Sequence, residues 1–181
     1  AVATEPGESQ WAELRESQTL TLALPNTGQA LAIDVGEAED IHPRDKQTVG
    51  HRLALWALDE VHDRDVASEG PSYLAMQIEG NRVRLSFTNI AEGLRTQATV
   101  NAPDPAALQG FQVAGEDRVW VWAQAQIDGD EVLVWADGVA QPVAVRYAWA
   151  NNPVANLYNS AGLPAVPFRT DDWPLTSQPA E

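Results

Sequence analysis

DIHPRDKQ, residues 40–47, is the stretch around which we expect the chain to be organised, because it places an acid and a histidine at the start of a predicted helix. Pro43 has no N–H and a fixed φ, so it suits the first position of a helix. This position makes His42 the N-cap residue and leaves Asp40 in the preceding loop. Upstream, residues 31–35 (LAIDV) have the composition of a strand. The order strand, loop, helix therefore places the pair at the carboxyl end of a strand, where open α/β sheets bind their ligands.

The closeness of Asp40 and His42 in sequence is typical of an acid that orients a general base. The alternative is structural: a histidine that caps the helix, with a solvated acid beside it. His51 and His62 lie along or just after the same helix, and neither has a second ligand at metal-binding spacing. We therefore expect no metal site, and we expect residues 128–131 (DGDE) to form a turn rather than a calcium loop.

Several stretches, in order along the chain, resemble the sialate O-acetylesterase group of SGNH hydrolases. Residues 41–50 (IHPRDKQTVG) and 52–54 (RLA) resemble the final catalytic block of that family. The other matching stretches are WAELRE at residues 11–16, LPNTG at 24–28, NLYN at 156–159 and PFRTD at 167–171. The resemblance implies an esterase in which a serine attacks an acetyl ester, His42 takes the serine proton and an acid orients His42.

Two residues are candidates for that acid. SGNH enzymes usually space the pair as Asp-x-x-His, whereas this chain has Asp40 two residues before His42 and Glu39 three residues before it. We expect Asp40 to orient His42 and retain Glu39 as the alternative. The sequence assigns no role to Asn159 and Arg169, although both lie in the family-like tail.

The nucleophile that the resemblance calls for is missing from this sequence. The family carries its serine in a block such as Gly-Asp-Ser or Gly-Gln-Ser-Asn after the first strand, and the chain has no such block. Ser160 lies beside Gly162, but in a polar loop, and we do not expect it to be catalytic. We therefore expect a C-terminal fragment that remains associated with an N-terminal fragment carrying the serine and the rest of the oxyanion hole.

The resemblance also implies what the enzyme acts on and where. It implies acetylated carbohydrate substrates, either sialic acid esters or acetylated plant-wall glycans, no cofactor, and a secreted or periplasmic location. The alternative function is a noncatalytic carbohydrate-binding or structural β-sandwich module. The formal charge of −15 in 181 residues argues against nucleic acid or an anionic membrane as partner. With no cysteine, the chain has neither disulfides nor thiolate metal sites.

The fold class predicted from these patterns is α/β, with four segments. Residues 1–62 are expected to be the closing part of an SGNH-type α/β/α sandwich, and residues 63–70 a linker. Residues 71–150 are expected to be an antiparallel β-sandwich, and residues 151–181 an irregular tail that wraps over the protein. Tyr158, Phe168 and Trp173 are the aromatic residues expected to pin that tail.

Two helices are predicted in the first segment. Ser9 is expected to cap a helix that ends near Thr19, with Trp11, Leu14 and Gln18 on one face. The second is expected to run from residue 43 to about residue 58. Its predicted apolar stripe contains Val49, Leu53, Trp56 and Ala57, and its predicted solvent face contains Lys46, Arg52 and Asp59.

In the β segment, residues 82–87 alternate with period two, which predicts that Val83, Leu85 and Phe87 face a core. Residues 119–126 and 132–135 are expected to pair as a hairpin across Asp128-Gly129-Asp130, and residues 143–149 alternate again. The hairpin carries three tryptophans: Trp120, Trp122 and Trp135. We expect them to pack in the core, the alternative being a platform on which sugar rings stack.

Overall fold

The structure is a computed structural model and describes residues 2–3 and 5–178. Its helices are α1 (Gln10–Leu20), a short 3-10 helix (Thr21–Ala23) and α2 (Lys46–Glu60). The strands are β1 (Ser72–Glu79), β2 (Arg82–Thr88), β3 (Leu94–Thr96), β4 (Phe111–Ala114), β5 (Val121–Trp122), β6 (Gln124–Asp128), β7 (Glu131–Trp135), β8 (Ala144–Tyr147), β9 (Leu157–Asn159) and β10 (Phe168–Arg169).

The strands form two antiparallel four-stranded sheets, ordered β1-β2-β7-β6 and β10-β8-β4-β5, and a separate β3-β9 pair. The predicted alternation along residues 82–87 is confirmed, because Val83, Leu85 and Phe87 are all buried. These side chains join Val113 and Val145 of the other four-stranded sheet in one hydrophobic cluster. The core of the protein therefore lies in the mostly β part of the chain.

The hairpin turn predicted at residues 128–131 is confirmed, but the prediction of one continuous strand over residues 119–126 is wrong. Gly129 takes a φ of 65° in the turn between β6 and β7. Residues 119–126 do not form one strand: β5 pairs with β4, whereas β6 pairs with β7. The chain changes sheet at Ala123, whose N–H bonds the carbonyl of Phe111. The apolar residues of the segment 119–126 thus belong to two different sheets, those before Ala123 to one and those after it to the other.

Residues 151–178 wrap over the body as expected, and they also contribute β9 and β10. Tyr158 and Phe168 are buried, and the Phe168 ring stacks on Tyr73 with 4.8 Å between centroids. Trp173 packs against Trp120 at 5.2 Å. All three predicted aromatic residues therefore attach the tail to the rest of the protein.

A second contact attaches the tail to the protein on the face of β8 that is turned away from the core. Arg146 is fully buried there and forms a two-pronged ion pair with Asp171, at 2.9 and 3.0 Å. Its guanidinium lies over the rings of Trp120 and Trp149, at 4.2 and 5.0 Å. Glu8, near the amino terminus, adds a third charge at 3.0 Å. Both ends of the chain therefore meet at one buried cation.

The strand predicted at residues 31–35 is wrong. These residues form a turn in which the N–H of Val35 bonds the carbonyl of Ala32 at 3.2 Å. The Asp34 side chain is drawn to a buried arginine, which an extended strand would not permit. The described part of residues 1–62 therefore contributes helices and loops but no strand, and its place in an α/β/α sandwich stays a prediction.

The predicted start of the second helix is also wrong. α2 begins at Lys46, and its N-cap is Asp45, not His42. The Asp45 carboxylate accepts both the N–H and the hydroxyl of Thr48, at 2.9 and 2.7 Å. This double interaction outweighs the preference of Pro43 for a first helical position. His42 thus lies in the loop, three residues before the cap.

Helix α1 begins after Ser9 as predicted, with the Ser9 hydroxyl accepting the N–H of Ala12, and ends at Leu20. The predicted faces of the helices are only partly those observed: in α2, Val49, Trp56 and Ala57 are half-buried as predicted. Arg52, expected in solvent, is the buried residue of α2, and Leu53, expected in the core, is 50% exposed.

Residues 61–71 connect α2 to β1, in the region predicted to be a linker. Ser68 and Gly70 are buried there, and a side chain on Gly70 would collide with the backbone carbonyl of Pro164. The division of the chain into four segments stays a prediction. In the part of the chain that the structure describes, no helix is long and apolar enough to cross a membrane.

Candidate functional site

The structure brings His42 and Asp40 together in the loop that precedes α2. Nδ1 of His42 lies 3.4 Å from Oδ1 of Asp40, and the same oxygen accepts the backbone N–H of His42 at 2.8 Å. The histidine side chain is 80% exposed and the aspartate side chain 47% exposed. With Nδ1 facing the carboxylate, Nε2 is the ring nitrogen left to exchange a proton with an arriving group. The two side chains are therefore neighbours, and their roles as base and orienting acid stay a prediction.

The loop that carries His42 is closed by short-range polar contacts. The N–H of Asp40 bonds the carbonyl of Glu37 at 3.3 Å, and Arg44 lies 3.5 Å from the Glu37 carboxylate. The carboxylate of Asp40, one of the two candidate acids, contacts the His42 ring. Whether Asp40 or Glu39 acts in catalysis stays a prediction.

A buried network fixes both ends of this loop, and sequence reasoning missed it. Arg52 of α2 donates to both carboxylate oxygens of Asp34, at 2.7 and 2.6 Å, and to the carbonyl of Leu31 at 2.6 Å. The hydroxyl of Tyr158 donates to the same carboxylate at 2.7 Å. Burial, and then the nearby Asp34 carboxylate, raise the pKa of Tyr158. Because Asp34 precedes the loop and Arg52 follows it, the network, here called the Asp34 clamp, holds the base of the His42 loop.

The signal for this network was present in the sequence. Arg52 and Tyr158 both lie in stretches that resemble the esterase family, RLA and NLYN. Asp34 was assigned to the strand predicted at residues 31–35, and Arg52 was assigned to the solvent face of the predicted helix. Only the turn at residues 31–35 reveals that the charges face each other.

Ser160, Asn159 and Arg169 have structural contacts. The Ser160 hydroxyl accepts the N–H of Glu92 at 2.8 Å. Asn159 is fully buried and bonds the carbonyls of Glu69 and Asn89, at 3.0 and 2.9 Å. These bonds join the tail to the connection between α2 and the sheets.

Arg169 links the tail to α1. Its guanidinium lies 2.8 Å from Glu16 and donates to the carbonyl of Trp173 at 2.9 Å. Burial alone would lower the pKa of Arg169, but the Glu16 carboxylate beside it raises that pKa above its ordinary value.

The three hairpin tryptophans do not share one environment. Trp120 is partly buried against Arg146 and Trp173, and Trp135 lies under the guanidinium of Arg82 at 4.7 Å. Trp122 is exposed, so the prediction that it packs in the core is wrong. Two of the three rings therefore already stack on cations of the protein itself.

Acidic side chains near the hairpin turn are engaged by an arginine. Asp128 and Glu131 contact Arg84 at 2.9 and 3.1 Å, and Glu79 contacts it at 2.7 Å. Within residues 2–3 and 5–178, no three or more His, Asp or Glu side chains are grouped so that they could hold a metal ion.

Comparison with known proteins finds that the chain is similar to part of several acetylesterases. No protein-family model matches the sequence. The sialate O-acetylesterase of Mus musculus is 30% identical over 160 residues, which are 80% of this chain and 28% of the mouse protein. That of Homo sapiens is 29% identical over 157 residues, which are 80% of this chain and 29% of the human protein.

A solved structure agrees with these sequence matches. The crystal structure of a novel carbohydrate acetylesterase from Xanthomonas citri superposes with a TM-score of 0.84 and 47% identity, over 91% of this chain and 37% of that one. The chain spans between 28% and 37% of the length of these relatives. Over most of its length the chain is therefore similar to one segment of the sialate O-acetylesterases and of the Xanthomonas carbohydrate acetylesterase.

Proposed function

We propose that this chain is part of a carbohydrate O-acetylesterase, to which it contributes His42 and Asp40. The observation that carries the proposal is the similarity to acetylesterases over most of the chain, 47% identical in the Xanthomonas protein. The contact between the exposed His42 ring and Asp40 supports it from the side of the geometry. The serine would come from a polypeptide equivalent to the part of the relatives that this chain does not cover.

The chemistry follows from the roles of the three groups. His42 takes the proton of the serine as the serine oxygen attacks the acetyl carbonyl, and then gives that proton to the departing sugar oxygen. Water, deprotonated in turn by His42, attacks the acetyl-enzyme and releases acetate. Asp40 holds the ring through Nδ1 and stabilises the imidazolium that forms in each step. The reaction requires no cofactor.

The finer parts of the proposal concern the assembled protein. Its substrates would be acetyl esters of sialic acids or of plant-wall glycans, and its location secreted or periplasmic. The companion polypeptide would carry the SGNH-type α/β/α sandwich onto which residues 1–62 pack. The mostly β part of this chain would form the accompanying β-sandwich.

Reconstitution tests the role of His42. The chain would be mixed with the segment of the Xanthomonas citri acetylesterase that it does not cover, and hydrolysis of an acetylated sugar measured. We expect His42→Ala to abolish hydrolysis without unfolding the protein, because the ring is exposed and supports no packing. His51→Ala is the matched control, since His51 is also exposed and lies one turn into α2. Activity of His42→Ala within about tenfold of the parent would contradict the assignment.

The nucleophile is tested separately with a fluorophosphonate probe on the same mixture. The proposal predicts a labelled serine on the companion segment and none on this chain. Trp122 favours a second candidate, a noncatalytic carbohydrate-binding module, because its ring is exposed on a strand. That function predicts retention of acetylated sugars by this chain alone, abolished by Trp122→Ala, with no serine labelled in the mixture.

A further inference from the structure

Helix α1 faces the protein with its polar side. Glu13 is buried and accepts hydrogen bonds from Thr176 and Ser177, and Arg15 donates to the carbonyl of Ala150 at 2.7 Å. Trp11 and Leu14, beside these polar positions on the helix surface, are about half exposed, at 53% and 47%. The predicted apolar face of α1 thus points away from the body of the protein.

Helix α2 packs against the body with Arg52 and Trp56, the latter against Gly28, and leaves other apolar residues exposed. Its buried residue is Arg52, which enters the Asp34 clamp. Leu53, Leu58 and Val61 are 50%, 39% and 64% exposed. At 100° per residue these three positions fall within an arc of roughly 140°, on the other side of the helix from Arg52. We call them the open stripe of α2.

The first third of the chain contributes little to the hydrophobic core. Among the residues that the structure describes, Ala12 is the one buried hydrophobic residue before Val83. An amphipathic helix gains its stability by burying its apolar side, so an outward stripe on a helix held by polar contacts indicates a surface made to be covered.

We propose that the open stripe of α2 is the docking surface for the companion polypeptide, the one equivalent to the part of the relatives that this chain does not cover. The length of that part supports this occupant, since the chain spans 37% of the Xanthomonas protein at 47% identity. The position of the stripe supports it too. His42 and the 83% exposed Ile41 lie before the N-terminal end of α2, so a polypeptide that packs along the whole length of the helix would also reach the exposed His42 loop.

A second copy of this chain is a poorer occupant. Each copy carries a formal charge of −15, so association of two copies accumulates like charge. The proposal of a docking surface depends on the proposed function in one respect only, which is the identity of the polypeptide that covers the surface. The contact itself requires no catalysis, so binding and hydrolysis are separable in an experiment.

Single cysteines test the surface directly, because the chain has none of its own. Leu53→Cys and Leu58→Cys place a thiol on the open stripe. Val100→Cys is the matched control, since Val100 is 84% exposed and lies in a loop of the β part. The rate of maleimide labelling of this chain would be followed by mass spectrometry, with and without the remaining segment of the Xanthomonas citri acetylesterase. We expect the segment to slow labelling at positions 53 and 58 by about tenfold or more and to leave position 100 unchanged.

Sedimentation of the same mixtures completes the test. A co-sedimenting complex with equal labelling at all three positions would overturn the proposal, because the segment would then dock elsewhere. So would the absence of any complex with the parent chain, or protection at position 53 that rises with the concentration of this chain alone. Protection on the stripe in a complex that hydrolyses no acetyl ester would leave the docking surface standing and contradict the proposed function instead.

Discussion

His42 and Asp40 contribute little to the stability of the fold. Both side chains are largely exposed, and an exposed ion pair stabilises a protein by about 0–1 kcal/mol at most. The aspartate nevertheless accepts the backbone N–H of His42 and lies 3.4 Å from Nδ1 of its ring. A pair of residues that is held by local contacts but adds little to the stability of the fold is typical of a reactive site.

At this scale we predict which acid orients the base. In the reconstituted enzyme, Asp40→Asn should lower kcat by roughly 100- to 10,000-fold, because the ring loses the charge that stabilises its imidazolium. Glu39→Gln, the same change one residue earlier, should lower kcat by less than about tenfold. Steady-state kinetics on an acetylated sugar measures both. If Glu39→Gln has the larger effect, the three-residue spacing usual in the family also operates here.

The sequence predicted the His42–Asp40 contact but not the residues beneath it. Asp40 and His42 are two residues apart in sequence, so their contact can be predicted without knowing the conformation of the whole loop. The Asp34–Arg52 pair joins residues 18 apart, and Tyr158 joins Asp34 from 124 residues away. Such contacts depend on how separate elements pack, and a helical wheel drawn for an isolated helix assigns the wrong side to Arg52.

Among the elements, α2 owes its position to the Asp34 clamp. The Arg52 and Asp34 side chains are 8% and 6% exposed, so little solvent screens their ion pair. Asp45 ends the loop by capping α2, and the clamp holds the turn where the loop starts. The structure thus fixes the His42 loop at its two ends and leaves its middle exposed.

This arrangement predicts the cost of breaking the clamp. Arg52→Ala should lower the free energy of unfolding by about 3–5 kcal/mol, because it leaves a buried carboxylate without its counter-charge. Tyr158→Phe removes a single hydrogen bond to that carboxylate and should cost about 1.5–3 kcal/mol. Urea denaturation of the chain measures both values. Equal small losses in the two variants would show that the ion pair does not hold α2.

Helix α1 and the tail are joined at Glu13. Burial alone would raise the pKa of Glu13, but hydrogen bonds from Ser177 and Thr176 outweigh burial and hold the pKa below its ordinary value of 4.5. A carboxyl group with a lowered pKa in the folded state stabilises the protein fully above its unfolded pKa. That stabilisation is lost as the pH falls through the folded value.

We therefore predict that the tail loosens from α1 in acid. In the parent, the amides of Thr176 and Ser177 should exchange faster with solvent as the pH falls below about 4.5, after correction for intrinsic exchange. Glu13→Gln should destabilise the protein at neutral pH and flatten the fall of the urea midpoint between pH 6 and pH 3, to about the extent of one titrating group. The same pH dependence in parent and variant would contradict the role of Glu13.

For the molecule as a whole, the sequence predicted the β part better than the helical part. Period-two alternation at Val83, Leu85 and Phe87 reports burial directly, because the strands bury one face in the protein's own core. In α1 the same logic failed, and in α2 it held only in part, since Leu53 is exposed whereas Val49, Trp56 and Ala57 are half-buried. Apolar periodicity shows that a face is to be covered, but it does not show by what.

The two parts are nevertheless tied together through long-range contacts of the tail. Arg169 bonds Glu16 of α1, Tyr158 bonds Asp34, and Arg146 holds Asp171 and Glu8. The residues that carry His42 are thus fastened to the β body by buried or partly buried polar contacts, while the open stripe of α2 remains outside. One side of the helical part therefore contacts the body, and the other side is the one that we propose a companion covers.

The central claim is that His42 deprotonates a serine supplied by that companion. The most direct measurement is the distance from Nε2 of His42 to the nearest serine oxygen of the companion, in a crystal structure of this chain bound to the remaining segment of the Xanthomonas citri acetylesterase. The account predicts about 2.6–3.2 Å, or a single bridging water between the two atoms. A His42 ring enclosed in packing, or farther from every serine oxygen than one water can bridge, would contradict it.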